Sequence, residues 1–483
     1  MKKAVIAAAC AACAAVITIC GCSRTGVVSN DRFTLTDDQY QELLDYYAEH
    51  DTSDSARIAA ASAQSLFSSV SILAFHTYRD RDSGSGSFFG PGMSSTYYYY
   101  DDITPGSGVI MELDKESGDA YILTCCHIVY DDTAYSSAMS SQIYVYLYGQ
   151  DVPDVNYSVD REETAYGYAN STYYKYTVSG DDQYRMEATV VAASSQYDLA
   201  LLKVSGSDVI KNSSAAAATF AGEADGDDPQ EEVTIGESVY AIGNSFGEGS
   251  AVTAGSVSKD SCSVSYSVVS NVSNTRRAIQ TSAAVNTGTG GGGLYNTDGE
   301  LIGIICEKQY RTSSDSNVEN TGFALPLSQV KRAYRLLRDS ASDSGITYTG
   351  VTAGFLQGVS FTGRSTNRNG YYLYDVDDPG YATTYTSAYL EYLDEARETY
   401  RIGITETVEA TGTSYGLQEG DVITHLLMTD ADGSTVEDLD ITRKFLLDDA
   451  LISYRSGYTV TLTYERNGEE GTQEVSCTTC KIA

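Results

Sequence analysis

Three features of the chain have the residue types that nucleophilic acyl transfer uses: His127, Asp198 downstream of it, and a turn built almost wholly of glycine at residues 288–293, GTGGGG. An imidazole takes and returns a proton near neutral pH, a carboxylate fixes its tautomer, and backbone N–H groups of a tight turn can hold a developing oxyanion. The nucleophile itself is missing. Residues 279–296 read IQTSAAVNTGTGGGGLYN, with no serine on the turn.

Four blocks carry a resemblance to a known family. Gly106 Ser107 Gly108 Val109 Ile110, followed by Tyr121 Ile122 Leu123 Thr124 Cys125 Cys126 His127 Ile128 Val129, is similar to a strand pair ending at a catalytic histidine. Tyr197 Asp198 Leu199 Ala200 Leu201 Leu202 Lys203 Val204 resembles a strand headed by a catalytic aspartate. Residues 236–247, GESVYAIGNSFG, match G-x-x-V-x-A-I-G-N-P-F-G except for Ser245 in place of proline. The fourth block is the glycine turn. Together they resemble the HtrA/Deg family of trypsin-like serine proteases, which implies a mainly β fold, a double β-barrel followed by an α+β PDZ domain. By that resemblance His127 is the general base and Asp198 its orienting acid.

The family's nucleophile loop reads N-P-G-N-S-G-G-P-L, with the serine four residues after the first asparagine and four before the leucine. Counting forward from Asn286 and back from Leu294 gives the same position, Gly290. Thr289 has a hydroxyl, but one residue of shift moves the backbone by about 3.8 Å and turns the side chain away. Without an Oγ no acyl intermediate forms, and losing the serine of such a triad costs on the order of 10⁶ in turnover. The resemblance further implies an oxyanion hole from the N–H groups of Gly288 and Gly290, and a specificity pocket with Ala284 at its floor, suited to Val, Ala, Ile or Leu. Thr287 and Gly293 replace the family's two prolines, and so many glycines predict a mobile loop.

At 483 residues with a net charge of −35, the chain has room for two or three domains and repels nucleic acid. Lys2 and Lys3, an apolar run over residues 4–19 and the ending Ile19 Cys20 Gly21 Cys22 are similar to a bacterial lipobox. That implies cleavage after Gly21 and a lipid on Cys22, hence an extracytoplasmic, membrane-anchored lipoprotein of a bacterium; a plain secretory signal is the alternative. Of the 10 cysteines, six lie beyond the leader and the lipidation site: Cys125, Cys126, Cys262, Cys306, Cys477 and Cys480. Their pairing stays open. Cys125 and Cys126 lie on the histidine's own strand and read as small buried residues. Neither a metal nor a cofactor is expected, because the lone CxxC of Cys477 and Cys480 lacks further ligands.

The expected organisation is a signal peptide at 1–22, a polar stem at 23–54 with a short helix, a protease-like domain at 55–340 and a PDZ domain with an insertion at 345–483. A helix is predicted over residues 54–67 and strands over 70–75, 277–285 and 301–306. The surplus at 151–182 reads as an inserted hairpin or loop over the cleft. A helix at 328–338 is followed by a polar linker at 339–345, and an extra helix is predicted at 385–399. In the PDZ region, Tyr348, Thr349, Gly350 and Val351 resemble the carboxylate-binding loop, and residues 416–423, GLQEGDVI, match the family's turn and strand. The partners this implies are unfolded proteins or peptide C-termini, with a homo-oligomer, trimeric by family resemblance. Two functions follow: a non-catalytic HtrA-like binding protein, or an active serine-type endopeptidase in envelope protein quality control.

Overall fold

The computed structural model describes residues 54–81, 97–135, 137–140, 142–150, 155–163, 169–178, 183–221, 233–306, 321–344, 350–351, 355–356, 360–365, 371–375, 382–385, 400–403, 406–475, 477–478 and 481–482. The leader, Cys22 and the stem lie outside them, as do most of the helix predicted at 385–399 and the residues Tyr348, Thr349 and Cys480.

Helix α1 (Asp54–Ser65) leads through one 3-10 turn into β1 (Ser69–Arg81). The first barrel continues with β2 (Tyr97–Asp114), β3 (Asp119–Thr124), the one-turn α2 (Cys126–Val129), β4 (Gln142–Leu147), β5 (Val155–Glu163), β6 (Ala169–Val178), β7 (Met186–Ser194), β8 (Leu199–Val204) and the short α3 (Asp208–Lys211). The strand order β1-β4-β7-β8-β3-β2 closes through a direct β1–β2 pairing. The surplus between His127 and Asp198 is indeed a hairpin. Its strands β5 and β6 pair antiparallel, and β6 runs parallel to the start of β2.

The second barrel comprises β9 (Ser238–Asn244), β10 (Ser250–Tyr266), β11 (Asn274–Thr281), β12 (Gly293–Asn296), β13 (Leu301–Ile305) and β14 (Gly322–Pro326), closed in the order β10-β11-β14-β13-β12-β9. Neighbouring side chains on a strand point to opposite faces, so each barrel strand can serve two cores. On β3, Ile122 packs with Val70 and Ile72 inside the first barrel, while the adjacent Leu123 joins Ile242, Leu294 and Ile304 in a core continuous with the second. That shared core fixes the seam between the barrels, where His127 lies.

Helix α4 (Leu327–Ser344) runs six residues past the predicted end, so most of the expected linker at 339–345 is helical. Two of its arginines form ion pairs: Arg332 meets Glu437 at 2.7 Å and Arg338 meets Glu112 at 2.8 Å.

Beyond it lie β15 (Gly350–Val351), β16 (Phe355–Leu356), β17 (Phe361–Ser365), β18 (Tyr371–Asp375), β19 (Ala382–Tyr385), β20 (Tyr400–Gly403), β21 (Glu406–Ala410), β22 (Val422–Thr429), β23 (Thr435–Asp440), α5 (Lys444–Ala450), β24 (Thr459–Arg466), β25 (Glu469–Val475), β26 (Cys477–Thr478) and β27 (Lys481–Ile482). One sheet, β17-β21-β22-β24-β25 with β23 beside β22, shares an apolar core with α5 through Leu426, Leu447, Ala450 and Leu462.

This C-terminal domain is fastened to the second barrel by buried charge. Asp449 of α5 takes Arg277 Nη2 at 2.6 Å, Ser328 Oγ at 2.9 Å and Gln329 Nε2 at 2.6 Å, and Arg443 reaches Asp260 at 2.5 Å. His425 on β22 contacts Asp438 at 2.8 Å.

Candidate functional site

His127 is presented by a change of local structure. Strand β3 ends at Thr124, Cys125 is still extended, and one turn of α2 lifts His127 out of the barrel wall with its side chain 23% exposed. Asp198, 4% exposed, precedes β8 with a φ of 51°. That left-handed conformation costs a non-glycine residue about 1–3 kcal/mol and persists only where the surroundings enforce it. They do so here: Cys126 N–H donates to Asp198 O at 3.1 Å, and His127 N–H to Asp198 Oδ1 at 2.9 Å.

The two side chains meet as the sequence leads one to expect. His127 Nδ1 lies 2.8 Å from Asp198 Oδ2 and 3.0 Å from Oδ1. Burial pushes the Asp198 carboxyl up, but the imidazole and the Arg276 guanidinium outweigh it and hold the group below the ordinary carboxylate range. Asp198 is therefore an anion, and it directs Nε2 of the ring toward the glycine turn.

On that turn the glycines are not equivalent. A Cβ at Gly288 would stand 2.3 Å from Asn244 O, at Gly291 2.2 Å from Ser107 O, at Gly292 2.1 Å from Ile242 O and at Gly293 2.4 Å from the Tyr295 ring. Gly288 and Gly291 also have φ of +90° and +83°. Gly290 alone among these has room: its Cβ would make ordinary contacts, 3.5 Å from His127 Nε2 and 3.9 Å from Cys125 Sγ. Thr289 is turned away, its Oγ1 3.2 Å from Ser245 Oγ and accepting from Asn286 N–H at 3.3 Å.

The expectation of a mobile loop is corrected. Residues 288–293 are buried throughout. Gly291 N–H donates to Ile305 O at 2.9 Å, Gly292 N–H to Thr289 O at 3.0 Å, and Ser107 N–H to Gly290 O at 3.0 Å. Ser107 Oγ donates to Gly288 O at 2.7 Å while accepting from Asn244 N–H at 2.7 Å. The glycines answer close backbone approach, and the contacts they permit offset their entropy. Gly293 is explained in the same way, because Tyr295 folds over it to stack on Tyr240 at 5.4 Å.

Reasoning from sequence missed two residues here. Ser107 was legible only as part of a strand motif, yet it ties both barrels to the turn. Arg276, 4% exposed, sends Nη1 to Tyr197 O at 2.6 Å and Nη2 to Asp198 Oδ2 at 3.5 Å. Its guanidinium lies 4.1 Å from the centroid of the Tyr266 ring. Beside Arg277 it reads as ordinary surface charge, and only the closed barrel turns it inward.

A trypsin-like peptidase domain matches residues 106–304, the segment that holds all of this geometry. The serine protease Do-like HtrA of Lactococcus lactis subsp. cremoris is 29% identical over 84% of the chain and 80% of its own length. The serine protease Do-like HtrA of Bacillus subtilis is 32% identical over 47% of the chain and 37% of its own length. Over most of its length the chain is similar to HtrA-like serine proteases. Among solved structures it is similar to the HtrA-type protease AlgW with decapeptide, 21% identical, covering 87% of this chain and 98% of that one with a TM-score of 0.42.

Two expectations for an HtrA-like chain do not match the geometry. Ala284 is exposed, its carbonyl accepting from Thr253 Oγ1 at 2.9 Å, and so it is not on the floor of a buried pocket. Beside it, the backbone nitrogen of Ala283 lies 2.2 Å from where a Cβ of Gly255 would sit, and Ala283 is buried while Ala284 is exposed. Gly350 and Val351 form β15, which pairs with β27 and beside Ala193 of β7 in the first barrel's sheet. They therefore do not open a strand of the C-terminal sheet; the strand that pairs with β21 is β17, starting at Phe361. Among the described residues Cys125, Cys126, Cys262, Cys306 and Cys477 form no disulfide. Among the described residues no helix is long and apolar enough to cross a membrane.

Proposed function

We propose that this HtrA-like chain is non-catalytic as written and binds unfolded or C-terminal peptide segments outside the cytoplasm, tethered to the membrane by a lipid on Cys22. The observation that carries the reading is the position of Gly290. It is the one glycine of residues 290–293 able to bear a side chain, its Cβ would point at His127 Nε2 from 3.5 Å, and it bears none. The base and its carboxylate have no hydroxyl to activate.

What remains suits binding. The N–H groups of Gly288 and Gly290 donate to no protein acceptor among the described residues and serve as the oxyanion-hole pair, able to grip a substrate carbonyl. In the C-terminal domain, read as a PDZ domain, the edge of β17 beside α5, which among the described residues pairs only with β21, offers strand addition to a peptide terminus. The lipid anchor and the extracytoplasmic location rest on residues 1–22.

The second reading, an active endopeptidase, has the intact His127–Asp198 pair in its favour. One experiment separates them. The mature chain is incubated with fluorescent unfolded casein while anisotropy and fragment release are followed together. Binding without fragments is expected; fragment release abolished by His127→Ala supports the endopeptidase instead.

A further inference from the structure

We propose that Phe246 is an apolar subsite of the cleft, its ring receiving the apolar side chain of a bound peptide next to the carbonyl held by the Gly288 and Gly290 N–H groups. Phe246 lies in the turn Ser245–Gly247 between β9 and β10 with a φ of 59° and a ψ of 14°, and Gly247 follows at a φ of 78°. Glu248 N–H donates to Ser245 O at 3.2 Å, which closes a reverse turn whose two central residues are both left-handed. Asn-Gly or Gly-Gly meets that geometry without strain, whereas a bulky residue there is an outlier. The core does not use the ring either, because Phe246 is 66% exposed. Neither the turn nor the core accounts for an aromatic residue at this position, and backbone strain of this kind gathers at ligand sites.

Position supplies the ligand. Phe246 N–H donates to Thr287 O at 2.7 Å, and the same nitrogen lies 3.1 Å from the point where a Cβ of Gly288 would sit. Ser245 Oγ is 3.2 Å from Thr289 Oγ1. On its other side the turn meets the first barrel, where a Cβ at Gly247 would stand 3.4 Å from Pro105 Cβ of β2. Gly249 N–H fixes the exit of the turn by donating to Asn244 Oδ1 at 2.7 Å. The ring is thus carried by backbone that adjoins the oxyanion donors. In an extended peptide, neighbouring residues are about 3.8 Å apart, so a carbonyl gripped at Gly288 brings an adjacent side chain to the Phe246 turn. Covering the ring with that side chain removes apolar surface from water on both partners, and unfolded chains present such side chains. Glu248, exposed on the same turn, gives a basic residue a competing claim that the test separates.

The inference rests on the proposed binding of peptides, yet the two fail separately. The full mature chain is titrated, with anisotropy as the readout, against a short fluorescent peptide of alanine, serine and leucine, blocked at both ends so that no terminal carboxylate is read. Matched peptides carry serine or arginine in place of leucine. The leucine peptide should bind the parent more tightly than either control, at low and high salt alike. Phe246→Gly and Phe246→Asn suit a left-handed turn, so both should fold and resist urea at least as well as the parent. Both should nevertheless bind the leucine peptide about tenfold more weakly, while Phe246→Leu, which keeps an apolar side chain, retains most of the affinity. Equal affinity of the parent and Phe246→Gly would overturn the assignment. So would a preference for the arginine peptide that fades with salt, or Phe246→Gly and Phe246→Asn chains both less stable than the parent, which would assign the ring to the fold. Casein bound by a parent that ignores the leucine peptide would remove this subsite and leave the proposed function standing.

Discussion

His127 and Gly290 face each other across the seam of the two barrels, with 3.5 Å between Nε2 and the point where a Cβ at position 290 would sit. On its other side the same ring is held by Asp198 at 2.8 Å. The base is thus oriented toward a residue that gives it nothing to deprotonate. The turn that bears Gly290 is pinned by Ser107 and Thr289.

The turn should tolerate side chains very unequally. Gly288→Ala forces a Cβ to 2.3 Å from Asn244 O at a φ of +90°, and should cost about 1–3 kcal/mol or more. Gly290→Ala should change stability by less than about 1 kcal/mol, because its Cβ has ordinary contacts. Urea denaturation of the two variants against the parent checks this, and equal losses would contradict the geometry.

The buried ion pairs should matter to domain docking. Arg332→Ala leaves Glu437 without its guanidinium partner at a position 3% exposed, and should destabilise the chain by about 3–5 kcal/mol. Glu437 also accepts from Ser453 Oγ, so the loss should spread into the C-terminal domain. Thermal unfolding and limited proteolysis of that domain read it. An Arg332→Ala chain as stable and as protease-resistant as the parent would show that the pair does not hold the domains together.

Acid should act on the GLQEGD turn through Asp421. Hydrogen bonds from Arg466, at 2.6 Å to each carboxylate oxygen, hold its pKa below the ordinary range against the opposing effect of burial, helped by Gln418 N–H. A depressed folded-state pKa contributes stability that is complete above the unfolded value of about 3.9 and is lost as pH falls through the folded value. Asp421→Asn should therefore be less stable than the parent at pH 7, and the gap should begin to close below about pH 4. A gap that widens with acid would reverse the sign of the account.

Much of the site was legible from residue order alone. The blocks around His127 and Asp198 anticipate that these two side chains meet, and two counts converge on Gly290, which lies opposite His127 Nε2; local sequence suffices because each group sits at a strand end. What escaped depends on closure of the barrels. Arg276 reaches Asp198 only because β11 curls past the seam, and Ser107 bonds residues 137 and 181 positions away. The loop's order was misread for a related reason: a glycine's entropy is written in the sequence, while the carbonyl that requires the glycine lies on another strand. The 151–182 surplus was legible as an inserted hairpin or loop; that it is a hairpin, and that it pairs with β2, depends on long-range contacts.

The most direct test of the central claim is labelling by a serine-directed fluorophosphonate probe, followed on the mature parent, Gly290→Ser, and Gly290→Ser combined with His127→Ala, with casein cleavage measured alongside. The account predicts no labelling and no cleavage by the parent. Gly290→Ser should label and cleave, because its Oγ would be placed beside His127 Nε2; the added His127→Ala should remove both signals. A parent that cleaves casein even after His127→Ala, or a folded Gly290→Ser chain that stays unlabelled and inert, would contradict it.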